Sequence, residues 1–219
     1  MPKCNRISAL ALFLSFALAP SANAGTWTEV GDAGELLSTA QVPTGNGPLT
    51  SIHGTLTDLS TLPGWSTPGA FSDDVDLYKI VIDDPQNFSV TVTATLSQDN
   101  DAMMWLFDSA GDLVLEDNSS KDDWLPQFNP GNFAGTAGIY YLGFSLFITI
   151  PEPFYTSANP TGPLSGWARF PYPFQTGPYT LHLTGVSFAQ ASVPEPSSVA
   201  LMSAGLTGFG LRRRWNRAA

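Results

Sequence analysis

The chain has 219 residues, of which 43% are hydrophobic and only 13% charged. That is enough apolar material for one sizeable core, and it excludes a chain disordered throughout. The scarcity of Glu, Lys and Arg, beside 20 Gly and 18 Pro, excludes coiled coils and helical bundles, whose solvated faces need charge. All 19 acids lie between Glu29 and Glu195, opposed there only by Lys79, Lys121 and Arg169, so 3 basic against 19 acidic residues leave a net of −16. A body of that sign repels phosphate backbones, which excludes nucleic acid as a partner, and it attracts divalent cations or basic surfaces. Cys4 is the single cysteine, and it lies in a segment expected to be removed. A disulfide framework, a thiol nucleophile and a thiolate metal site are therefore excluded for the mature chain.

Residues 1–24 read as a secretory signal peptide. Lys3 and Arg6 give a positive start, 7–18 is apolar, and Ala22 and Ala24 place small residues before a cut that makes Gly25 the new N-terminus. An apolar stretch of about 12 residues is too short to cross a ~30 Å hydrocarbon core. Export through the Sec machinery is the implied route.

The body, 25–192, is rich in strand signals. Residues 33–40 are the one helical candidate, at most two turns long. A strand is expected at 51–57 and another, β-branched and aromatic, at 75–82. The turn Asp83-Asp84-Pro85-Gln86-Asn87 then leads into Phe88, Val90, Val92, Ala94 and Leu96, which alternate with Ser and Thr through Ser97. These two strands are expected to pair as a hairpin. Residues 103–107 and 113–115 form a second hairpin around Gly111. A long apolar strand follows at 138–150, then a Pro- and aromatic-rich loop at 149–176, then an alternating strand at 179–184. About seven strands at this spacing predict an all-β fold, an antiparallel β-sandwich of jelly-roll-like form.

Few residues could carry chemistry. His53 and His182 are the only histidines, and no Gly-x-Ser-x-Gly is present. Two isolated histidines do not give the ligand spacing of a zinc site, and no catalytic residue is assigned. Asp73, Asp74 and Asp76 precede one strand, and Asp99 and Asp101 follow its expected partner. Gathered at one end of a hairpin, five carboxylates would repel, and Ca²⁺ with its 6–8 oxygen ligands would relieve them. The alternative is that these aspartates only start turns and end strands. Aromatic residues crowd the loop region at Phe154, Tyr155, Trp167, Phe170, Tyr172, Phe174 and Tyr179. Tyr155, Trp167 and Tyr172 could stack on sugar rings; alternatively the rings fold back over the sandwich edge.

The tail, 193–219, has three ordered parts: Pro194-Glu195-Pro196, an apolar run rich in Gly and Ala at 198–211, and Arg212-Arg213-Arg214. An apolar helix followed by arginines is expected to stop in the membrane with its C-terminus in the cytoplasm. The run is short for a permanent span. This order resembles the PEP-CTERM sorting signal of Gram-negative bacteria. The resemblance implies an exosortase, a membrane-embedded cysteine transpeptidase, as partner, with the helix serving only as a transient anchor. Its hosts make extracellular polysaccharide and biofilm, which makes exopolysaccharide the expected neighbour.

The body is similar to the bacterial pre-peptidase C-terminal (PPC) domain, a β-sandwich of secreted proteins. The matching pieces are Gly31-Asp32-Ala33-Gly34-Glu35, Thr39-Ala40-Gln41, Ile52-His53-Gly54-Thr55-Leu56 and Asp74-Val75-Asp76-Leu77-Tyr78-Lys79-Ile80. Leu106-Phe107-Asp108-Ser109-Ala110-Gly111, Gly138-Ile139-Tyr140-Tyr141-Leu142-Gly143 and Gly177-Pro178-Tyr179-Thr180-Leu181 complete the order. The functional expectation is a non-catalytic surface or extracellular-matrix protein. The alternatives are a carbohydrate-binding module using 149–179, or a secreted hydrolase.

Overall fold

The computed structural model describes residues 25–57, 75–96, 101–120, 124–147, 149–154, 162–169 and 176–191. The expected signal peptide, with Ala22 and Ala24, and the expected C-terminal helix lie outside the described residues. Among the described residues the structure is all-β, with no helix.

Two five-stranded sheets make up the body. The first has the spatial order β1 (Gly25–Thr28), β3 (Leu49–Leu56), β12 (Gly177–Thr184), β5 (Ser89–Ala94) and β8 (Gln127–Phe128). The second runs β13 (Val186–Phe188), β4 (Val75–Ile82), β9 (Gly138–Leu146), β6 (Ala102–Phe107) and β7 (Leu113–Asn118). Two small ribbons pair β10 (Thr149–Glu152) with β11 (Gly166–Arg169), and β2 (Thr44–Gly45) with β14 (Gln190–Ala191). The pairings β3 with β12, β4 with β9, β5 with β8 and β6 with β7 are all antiparallel and nested. The chain thus forms one long double strand closed at the β6–β7 turn, wrapped into two layers in the jelly-roll order. Parallel pairing is confined to the margins, at β1 with β3 and β14 with β2.

Side-chain alternation sets the layers. Phe88, Val90 and Val92 point inward and are fully buried, while Thr91, Thr93 and Thr95 face water. Ile52, Leu56, Tyr78, Ile80, Met104, Leu106, Leu142, Phe144 and Leu181 fill the space between the sheets. A second cluster lies on the other face of the second sheet, where Val75, Leu77, Trp105, Phe107 and Tyr141 point away from the main core. Apolar residues on both faces explain why β4 is buried along nearly its whole length. The second face is covered by Leu164 and Trp167, with Leu36, Leu37 and Phe154 packed alongside.

Four expectations change. The strands at 75–82 and 89–94 do not form a hairpin: β4 and β5 lie in opposite sheets, and the turn at 83–87 crosses between them. The apolar stretch at 138–150 breaks after Leu146 and restarts as β10 in a separate ribbon. The loop at 149–176 contains the β10–β11 pairing. The helical candidate at 33–40 is a single turn, with Ala40 N bonded to Leu36 O at 2.7 Å. There the backbone serves the edge of β4 instead: Leu77 N donates to Gly34 O, Gln41 N to Leu77 O and Lys79 N to Gln41 O. β13 pairs only with Ile80, Val81 and Ile82, so the first half of β4 has an open edge that needs such cover.

Candidate functional site

The strand β4 is apolar except at two positions, and one of them, Asp76, is fully buried. Its parity is that of Tyr78, Ile80 and Ile82, so it points between the sheets. A buried carboxylate is costly unless it is hydrogen-bonded. Tyr179 on β12 donates its hydroxyl to Asp76 Oδ2 at 2.6 Å, and the Tyr78 and Tyr179 hydroxyls lie 2.8 Å apart. Gly54 is the register partner of Tyr179 on β3. A Cβ there would press on the Tyr179 ring and hydroxyl and come within 2.7 Å of Tyr78 Oη, so only glycine admits the two phenols.

Glu29, just past β1, closes this network. Its Oε1 accepts from Ala33 N at 2.9 Å and its Oε2 from Thr55 N at 2.8 Å. Burial pushes the Glu29 carboxyl above its ordinary value, and hydrogen bonds with Thr55, Asp76 and Ala33 act in the opposite direction. Tyr179 is pushed well above the usual tyrosine value, first by burial and then by the Asp76 charge. It therefore stays protonated and remains a donor to Asp76. Gln41 ties the same corner: Trp27 Nε1 and Val30 N donate to its Oε1, and its Nε2 donates to Val30 O.

Above this network opens a cleft of about 650 Å³, at the end of the first sheet. Thr28, Thr55, Thr57, Thr93, Thr95 and Thr180 line it with His53, Gly54 and Tyr179. Glu29 is the sole charged residue in the lining, and both its oxygens are engaged by backbone amides. The cleft is therefore a hydroxyl-rich depression whose one carboxylate is already engaged. On its wall His53 Nδ1 lies 2.8 Å from Thr180 Oγ1, and at its margin His182 Nε2 lies 3.2 Å from Thr93 Oγ1.

Of the five residues expected to hold calcium, the structure describes Asp76 and Asp101, and these two do not come together. Asp73, Asp74 and Asp99 lie outside the described residues. Asp76, the second residue of β4, points into the sandwich, where it is fully buried and accepts from Tyr179. Asp101 sits two strands away and three residues further along, roughly 14 Å from Asp76 by strand spacing and rise. It has the opposite facing parity and accepts from Ser119 Oγ at 3.2 Å. Among the described residues no group of three or more His, Cys, Asp or Glu could hold a metal ion.

Of the two expectations for Trp167, the structure shows the ring folded back over the sandwich. Its indole is buried, 7% exposed, edge-on to Trp105 and Phe107 at 6.0 and 6.1 Å between ring centroids. Its Nε1 donates to Glu35 O at 2.7 Å. Tyr155 and Tyr172 lie outside the described residues. Tyr179 belongs to the buried network, so its ring is core as well.

The carboxyl–tyrosine network escaped the reading of the sequence, although its parts stand in it. The signal was Asp76 at an inward position of an apolar strand, which demands a buried donor. Gly34, Gln41, Gly54, Asp76, Tyr78 and Tyr179, far apart in sequence, are linked here by strand pairing and hydrogen bonds.

Comparison with known proteins bears on the tail. Residues 192–214 match the family model of the PEP-CTERM protein-sorting motif. The match contains Pro194, Glu195, Pro196 and Arg212, Arg213 and Arg214. The motif implies sorting through an exosortase system and marks the chain as exported and sorted to the cell surface. No curated protein matches the chain.

Proposed function

We propose that the protein is a non-catalytic component of the cell surface or extracellular matrix of a Gram-negative bacterium. In this reading a PPC-like body holds exopolysaccharide in its threonine-lined cleft. The observation that carries it is the chemistry of that cleft: six threonine side chains, no lysine or arginine, and one carboxylate already engaged by backbone amides. Such a lining offers hydrogen bonds to sugar hydroxyls. The sorting motif supplies the context, because it sends the chain to the surface where such polymers accumulate.

Lack of catalysis is supported by the same geometry. Glycoside hydrolysis needs two carboxyl groups open to the scissile bond. Asp76 is fully buried and held by Tyr179, and Glu29 is clamped by Ala33 N and Thr55 N. Neither can approach a substrate without dismantling the network.

Retention on immobilised host exopolysaccharide tests this reading. Thr55 is exposed on the cleft wall. Thr55→Arg fills the depression while leaving the Thr55 amide on Glu29, and is expected to weaken retention about tenfold, roughly 1.4 kcal/mol, with an unchanged melting temperature. Wild-type protein that washes straight through contradicts the reading.

A further inference from the structure

The only two histidines of the chain are far apart in sequence, yet the register of the first sheet makes them neighbours. His53 on β3 faces Thr180 on β12, and His182 stands two residues along that same strand. Both side chains are exposed and share the outer face with Thr91 and Thr93. Diagonal positions of this kind lie about 7–8 Å apart, within reach of long or aromatic side chains.

The hydrogen bonds turn both rings toward one row of residues. Thr93 is the register partner of Thr180 on β5. His53 Nδ1 meets the Thr180 hydroxyl at 2.8 Å, and His182 Nε2 meets the Thr93 hydroxyl at 3.2 Å. Each imidazole thus has one nitrogen held by a threonine, which leaves its second nitrogen as the one to offer a ligand. A hydrogen bond at the second ring nitrogen is how proteins orient a histidine for a metal.

We propose that His53 and His182 together bind one divalent first-row transition-metal ion of the imidazole-preferring kind, Cu²⁺, Ni²⁺ or Zn²⁺. His53 Nε2 and His182 Nδ1 are the protein ligands, and water completes the shell. Hard cations such as Ca²⁺ and Mg²⁺ are not its ligands, because they select oxygen donors. The rigid sheet holds the two ring positions before the ion arrives, and the acidic body draws cations to it. His53, Thr93 and Thr180 also line the threonine-rich cleft, but the metal site needs no sugar and is tested without one.

The test uses the full chain in detergent, without a polyhistidine tag and with Cys4→Ser to remove the thiol. Titration with Cu²⁺ is expected to saturate at one ion per chain, with electron paramagnetic resonance showing two imidazole nitrogens. His53→Gln and His182→Gln are each expected to weaken binding at least about tenfold and to leave a single nitrogen signature. Both variants should melt like the parent in the absence of metal, which separates lost ligation from lost folding. Affinity unchanged in either variant overturns the proposal, because an ion held by surface carboxylates or by one histidine alone would behave in that way.

Discussion

Gly54 shows how one residue without a side chain permits a buried polar network. Tyr78 and Tyr179 occupy the space that any Cβ at this position would need. Gly54→Ala forces the phenols aside and is expected to cost about 1–3 kcal/mol as overpacking. Urea denaturation checks this through a lower midpoint at unchanged slope; an unshifted midpoint would contradict the packing described. Glu29 gives the network a pH signature. Its carboxyl in the folded chain is raised above the ordinary value of 4.5, so folding favours the protonated form. The stability it contributes is fully present below the unfolded value and is lost as pH rises through the folded one. Glu29→Gln removes this proton while keeping an acceptor and a donor. Melting curves from about pH 4 to 7 should show wild type losing stability relative to the variant as pH rises. A difference that stays flat across that window would remove Glu29 from the network.

At the scale of elements, what the sequence revealed depended on length. The strand expected at 75–82 coincides with β4, and the alternation of Phe88, Val90 and Val92 marked the buried face of β5. The hairpin around Gly111 is present as β6 and β7, with φ +94° at the glycine. Strands of two to four residues, such as β1, β2, β8, β13 and β14, escaped because a period of two cannot be read from so short a run. Sheet membership escaped for another reason. A turn such as 83–87 looks the same whether the chain returns beside itself or crosses to the opposite layer. Asp76 was singled out as a candidate ligand, but its facing parity, which decides its role, depends on which layer β4 joins. Trp167 follows the fold-back alternative because the second sheet carries apolar residues on its outer face, and that face needs a lid. Trp167→Ala opens a cavity beside Trp105 and Phe107 and is expected to cost about 3–5 kcal/mol. Calorimetric melting measures the loss. Polysaccharide retention by the folded fraction should not change, since the indole lies away from the cleft; weakened retention at full stability would restore a binding role to this ring.

For the whole molecule, sequence and structure divide the work. The body forms a layered sandwich with its polar cleft at one end, and the segment at 192–214 carries the sorting motif. The tail was the most legible part of the chain, because Pro194, Glu195, Pro196 and the Arg212–Arg214 cluster are read as a linear motif. The body's ligand chemistry was the least legible, because the cleft assembles threonines from β1, β3, β5 and β12. Transit and residence are therefore assigned to different stretches of one polypeptide. The intact mass of the protein recovered from the surface of its native host tests this division most directly. The account predicts a mass lacking residues 1–24 and everything beyond the Pro194–Pro196 region. A chain retaining Arg212, Arg213 and Arg214 and lodged in the inner membrane would contradict it.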